Sequence, residues 1–213
     1  VTTLMQSSGL VSVLAVSFLS AGLINLMQGI GIIFGANIGT TSGAWLMAGL
    51  GLKINISAYA MPLLVFGVLF IFQQSKTYKG WGYIFVGLGF LFLGIHHMKE
   101  GFETFKETID LASYSATGFK GIVIFVSIGI IATIAMQSSH ATIVLVIAAL
   151  SVGQIAYESA LLITIGANIG TTITAVLGSL NSNIEGKRLA GAHFLFNLIS
   201  GVIAIIVLGP TML

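Results

Sequence analysis

Long apolar runs separated by short polar punctuation set the pattern of this chain. Residues 8–19 are apolar but too few to cross a bilayer, and Ser20, Ala21 and Gly22 end them. Residues 23–50 are long enough to cross, yet a polar, glycine-containing segment at 37–42 interrupts them, the pattern of a discontinuous helix. Residues 59–72, starting near Pro62, and 81–98, with Trp81 and Tyr83 suited to an interfacial belt, predict two further crossings. Residues 55–57 and 73–80 read as loops, and 99–118 alternate charge with Phe102, Phe105 and Ile109 as an interfacial amphipathic helix would. Residues 121–135 then enter the membrane, 137–140 turn, and 142–150 return, which predicts a re-entrant hairpin. A connector at 151–159, a second interrupted helix at 160–180, a polar loop at 181–188 and a last crossing at 189–208 complete the chain.

The punctuation repeats. Gln6-Ser7-Ser8 recurs as Gln137-Ser138-Ser139, and Gly35-Ala36-Asn37-Ile38-Gly39-Thr40-Thr41 recurs as Gly166-Ala167-Asn168-Ile169-Gly170-Thr171-Thr172, each at an offset of 131 residues. The chain is therefore a duplicated unit, with a first repeat at residues 1–80 and a second at 81–213 forming one membrane-embedded domain. Two apolar runs precede Gln137 but only five residues precede Gln6, so the first repeat is expected to be N-terminally truncated. Three predicted crossings lie between the two Gln-Ser-Ser turns. That odd number makes the fold class an all-α membrane protein of inverted repeats, with re-entrant hairpins and discontinuous helices.

Composition agrees. Of 213 residues 56% are hydrophobic and 7% charged, and the mean hydropathy is +1.07, too little charge to cover a soluble surface. A multi-pass place in the plasma (inner) membrane, with the lipid bilayer as partner, follows. The net charge of +2 argues against nucleic acid, and the absence of cysteine excludes disulfides and thiolate metal sites. The loops flanking Lys76 carry the larger positive excess, which orients that side toward the cytoplasm.

Polar, unchargeable side chains beside glycine in an apolar setting are what a membrane site requires. Freed N–H groups at a helix N-terminus favour an anion, and carbonyl and hydroxyl oxygens favour Na⁺. Neither motif contains Lys or Arg, so an anion held there leans on helix ends, hydroxyls and co-bound cations. Back-bonding of each hydroxyl to its own helix is the competing reading. Gly31, Gly35, Gly39 and Gly43 form a stripe for close helix approach. His140 stands where the first unit has Gly9 and reads as a packing or gating residue, with a proton relay as the rival. His193 and Asn197 are expected to hydrogen-bond across helices.

The paired Gln-Ser-Ser and Gly-Ala-Asn-Ile-Gly-Thr-Thr motifs, with His193-Phe194-Leu195-Phe196-Asn197, resemble the type II sodium-phosphate cotransporter family, which has bacterial members. The resemblance implies a non-enzymatic symporter that takes up inorganic phosphate with Na⁺ by alternating access, with no cofactor beyond the coupling ion. It implies a shared site of Gln6, Ser7, Ser8, Asn37, Thr40, Thr41, Gln137, Ser138, Ser139, Asn168, Thr171 and Thr172, with Na⁺ ligands among Gln6, Asn37, Thr41, Gln137, Asn168 and Thr172. A homodimer stays open as a further partner. The rival readings are a passive anion channel, a non-transporting membrane subunit, or a symporter of another oxyanion or a dicarboxylate. That family's Gln-Ser-Ser motif commonly continues with a third serine, where this chain has Gly9 and His140.

Overall fold

The apolar runs become helices because only helices satisfy the backbone within lipid. The computed structural model describes residues 1–51, 56–106 and 118–212, which form helices joined by short turns and extended caps. In chain order these are α1 (Thr2–Met5), α2 (Ser8–Ser20), α3 (Leu26–Gly51), α4 (Ile56–Ile71), α5 (Lys76–Lys106), α6 (Gly118–Met136), α7 (Ser139–Ser151), α8 (Tyr157–Ser179) and α9 (Ile184–Met212). Among the described residues Lys76–Thr104, Gly118–Met136, Tyr157–Ser179 and Ile184–Gly209 are long and apolar enough to cross a membrane. Ser8–Ser20 and Ser139–Ser151 are shorter apolar helices, as expected of hairpin limbs.

The two interrupted helices are a correction. Both α3 and α8 run without a break through Asn37 and Asn168. The hydroxyls of the motif explain why: Thr40 and Thr171 donate to the carbonyls of Ala36 and Ala167 at 2.9 and 3.0 Å, and Thr41 and Thr172 to those of Ile38 and Ile169 at 2.7 Å. Each hydroxyl donates its proton to its own helix and keeps its lone pairs, so the polar run is accommodated inside an unbroken helix.

Several boundaries also move. Helix α4 starts early enough to place Pro62 inside it rather than in its first turn. Helix α5 takes in both part of the loop predicted at 73–80 and the start of the predicted amphipathic helix, continuing straight past Met98 to Lys106. The rest of that amphipathic segment, residues 107–117, and Asn55 of the predicted turn at 55–57 lie outside the described residues, whereas residues 56–57 of that turn already belong to α4, a correction. Helix α9 begins within the loop predicted at 181–188, where Asn183 Oδ1 accepts from Gly186 N at 3.0 Å and caps it. Helix α3 opens on a reciprocal cap, with Gln28 N donating to Asn25 Oδ1 and Asn25 N to Gln28 Oε1, both at 2.9 Å.

Glycine sets the closest approaches. A Cβ on Gly166 would collide with the Val126 carbonyl and one on Gly129 with the Ile163 carbonyl, so α6 and α8 meet backbone to backbone. In the α4–α5 pair, Cβ atoms on Gly82 and Gly89 would stand 2.7 Å from Ile71 N and Leu64 Cγ. The glycine stripe of α3 divides: Gly31 and Gly35 have nothing near them, whereas Gly39 seats Thr2. Helix α2 lies beside α8 in the same direction, Gly9 level with Thr174 and Val13 with Gly178. Helix α9 closes the group, Leu189 packing with Ala15, Val16, Leu19 and Ile33, and Phe196 stacking on Phe34 at 4.2 Å.

Candidate functional site

Two short turns have one construction. Gln6 ends α1 with φ 50° and ψ 29°, its N–H bonded to the Thr2 carbonyl, and extended Ser7 then caps α2, its Oγ accepting from Leu10 N at 3.2 Å. In the second unit Gln137 has φ 55° and extended Ser138 caps α7, its Oγ accepting from Ala141 N at 3.2 Å. The left-handed residue reverses the chain, and the following serine satisfies an orphan N–H of the new helix. The α6–α7 hairpin is further clasped by a buried bond between the Thr133 and Thr142 hydroxyls at 2.9 Å.

Both turns open on one cavity of about 160 Å³, lined by residues 6–9 and 137–140 with Thr40, Thr171 and Thr174. At about 30 Å³ per water, that leaves room for an oxyanion of five heavy atoms. Eight residues of the expected site meet here: Gln6, Ser7, Ser8, Thr40, Gln137, Ser138, Ser139 and Thr171. Asn37, Thr41 and Asn168 line a separate, mainly apolar cavity of about 390 Å³ with Trp45, Tyr157 and Thr164, and Thr40 is shared by both. Thr172 lines neither; it is buried and bonded to its own helix. The expected single site is thus two adjacent cavities.

The first cavity is shaped for negative charge without a formal positive one. No Lys or Arg is among its described lining. The N-termini of α2 and α7 both border it, each presenting a partial charge of about +0.5. Gln6 Nε2 donates to the Thr3 carbonyl and, at 3.3 Å, to Ser42 Oγ, while Gln6 Oε1 is buried without a partner. Asn37 Nδ2, bordering the second cavity, is likewise unpartnered.

Sequence reasoning missed the pairing of the two units at this cavity. Gly9 packs on Thr174, with a Cβ at 3.3 Å from Thr174 Cγ2, and His140 packs on Gly43, where a Cβ would collide with His140 Nε2 and Gln6 Oε1. Gly9 and His140 are equivalent at the 131-residue offset, and so are Gly43 and Thr174. Applying that offset to the glycine stripe would have singled out Thr174. The expectation for the last helix is corrected: Asn197 Nδ2 donates to the His193 carbonyl at 3.0 Å within α9, because that carbonyl lies one turn away, and the fully buried His193 ring has no hydrogen bond.

A family model described as Na⁺/Pi-cotransporter matches residues 1–100 and 106–211. A Bacillus subtilis protein named "Uncharacterized protein YqeW" is 29% identical over 93% of this chain and 63% of its own length. An Escherichia coli protein named "Putative inorganic phosphate export protein YjbB" is 30% identical over 95% of this chain and 37% of its own length. A sheep protein named "Sodium-dependent phosphate transport protein 2A" is 37% identical over 41% of this chain and 14% of its own length. The chain thus spans less than two thirds of the relatives it matches. No solved structure matches it.

Proposed function

The chain belongs to the Na⁺/Pi-cotransporter family, a multi-pass family of the plasma membrane, and from that premise we propose that it carries inorganic phosphate together with Na⁺. The observation that carries this reading is the convergence of both Gln-Ser-Ser turns and two helix N-termini on one cavity. The serine hydroxyls, the amide groups of Gln6 and Gln137 and the first N–H groups of α2 and α7 supply donors for phosphate oxygens. Two helix ends offset about one unit of charge, less than a phosphate carries near neutral pH. Cations must supply the rest in a low-dielectric site, which is the physical basis for Na⁺ coupling. Asn37, Thr41 and Asn168 present oxygen ligands next door, and Thr40 joins the two places.

Alternating access is the mechanism that this reading favours. The turns are short, each leads into a helix too short to span, α2 or α7, and they sit in two units that in this reading are inverted. Rocking of one unit against the other would expose the cavity to each side in turn. One relative is named an exporter, so the direction of net flow is set in this reading by the Na⁺ and phosphate gradients.

Phosphate flux in proteoliposomes under an imposed Na⁺ gradient, inward and then reversed, tests the proposal. Uptake that follows the Na⁺ gradient is expected. Flux indifferent to Na⁺ would leave a passive anion pathway, and absence of phosphate flux with transport of sulfate or a dicarboxylate would reassign the substrate.

A further inference from the structure

We infer that His140 is a substrate-contacting residue that sets oxyanion affinity in this chain, and that Gly43 is the seat which makes it one. The inference deepens the phosphate reading and rests on it. His140 lines the 160 Å³ cavity at the first turn of α7, directly after the Ser138 cap and Ser139. It stands where the first unit has Gly9, so the cavity is lopsided: an imidazole faces it from one unit and no side chain from the other.

The two contacts across the unit boundary show that the backbone is arranged for this asymmetry. Thr174 packs on Gly9, and His140 packs on Gly43; a small residue stands opposite each larger one. Any side chain at position 43 would occupy the space now shared by His140 Nε2 and Gln6 Oε1. The ring is therefore held in the cleft between α7 and α3, at the edge of the cavity that His140 lines, rather than turned into lipid.

One of its two ring nitrogens is not used up. His140 Nδ1 is buried with no hydrogen bond, and the neighbouring Gln6 Oε1 is in the same condition. Merely structural side chains in an apolar setting usually satisfy such atoms, because each orphan costs stability. A neutral imidazole offers one N–H and one lone pair, the pair of functions that a hydrogen-bearing oxyanion uses in turn. In a cavity with no Lys or Arg in its described lining, one well-placed N–H is a large share of the grip on the anion.

The test is phosphate binding by the purified full chain, measured calorimetrically in saturating Na⁺ with no gradient, with sulfate as the comparison anion and thermal melting as the folding control. His140→Gly, which copies the first unit, is expected to raise the phosphate Kd about tenfold, and His140→Asn, which keeps an N–H donor, to recover most of that loss. Gly43→Ala should give a similar loss by displacing the ring, and the Gly43→Ala, His140→Gly double variant should bind no worse than His140→Gly alone, since both act on one contact. An unchanged Kd in folded His140→Gly overturns the inference; so do losses that simply add in the double variant, which would mark Gly43 as a separate packing site. If His140→Gly does not fold, an unchanged Kd in both Gly43→Ala and His140→Leu, which lacks an N–H donor, overturns it equally. Failure of the parent chain to bind phosphate would instead overturn the transport reading on which the inference stands.

Discussion

Gln6 and Gln137 share one backbone state: among the described residues they are the non-glycine positions with left-handed φ, 50° and 55°. Each immediately precedes a serine cap, and each turn borders the same cavity. A side chain in that region costs about 1 to 2 kcal/mol relative to glycine. Glycine would serve the turn better, which makes a role for the amide group in the cavity the expectation to test.

Substitution separates the two contributions. Gln137→Gly removes the amide but relieves the backbone, so the variant should melt in detergent at or above the temperature of the parent chain while phosphate binding falls about tenfold or more. Gln137→Ala should lose binding to the same extent and melt lower than Gln137→Gly. Full phosphate affinity in Gln137→Gly would show that the turn needs only a bend.

The serine caps give a second test, because charge and capping can be varied apart. Ser138→Ala deletes the bond to Ala141 N and should cost about 1 kcal/mol, seen as a lower melting temperature. Ser138→Asp keeps an acceptor at the cap and should hold the melting temperature, yet it places a carboxylate on the wall of the cavity proposed to hold phosphate. Phosphate binding is expected to collapse in Ser138→Asp and to weaken less in Ser138→Ala. The opposite ranking would argue against an anion in this cavity.

Much of this was legible beforehand, and the reason is physical. The Gln-Ser-Ser turns at residues 6–8 and 137–139 stood out because a polar run between apolar limbs of hairpin length has few other uses in a bilayer, and the structure places both where the 131-residue offset requires. The state of the helices at Asn37 and Asn168 was not legible. A Gly-Ala-Asn-Ile-Gly-Thr-Thr run suits a broken helix or an intact one in which Thr40, Thr41, Thr171 and Thr172 bond back to their own carbonyls, and composition alone does not choose between them. The division of the expected site into two cavities depends on which way each helix is rotated. For Thr172, that rotation takes the hydroxyl away from both.

Close glycine contacts should rank substitutions by what a methyl meets. Gly166→Ala drives its Cβ into the Val126 carbonyl, and α6 and α8 would have to separate. Gly35→Ala, its equivalent in the first unit, meets nothing and exchanges glycine for the best helix former, a change worth up to about 1 kcal/mol in favour of the helix. Melting of the 213-residue chain should therefore fall sharply for Gly166→Ala and hold or rise slightly for Gly35→Ala. Equal melting of the two would mean that the α6–α8 contact is looser than its geometry.

The two cavities should also separate in transport kinetics. Gln6 and Gln137 border the smaller one with the helix N-termini, whereas Asn37 and Asn168 border the larger one with Thr41 and no helix N-terminal turn of the Gln-Ser-Ser kind. An anion is best served by the first, and a Na⁺ ion, which takes oxygen ligands, can use the side-chain carbonyls of the second. Gln137→Ala should then raise the phosphate concentration for half-maximal uptake more than the Na⁺ concentration, and Asn168→Ala the reverse, each by about tenfold for one lost contact to a charged ligand. Gln73→Ala, an exposed residue whose side chain reaches only the Leu69 carbonyl at 3.5 Å, should leave both unchanged. Thr40 borders both cavities, so Thr40→Val should disturb both dependences together. If Gln137→Ala and Asn168→Ala shift the two constants by the same ratio, the cavities act as one site and the assignment of Na⁺ to the second is wrong.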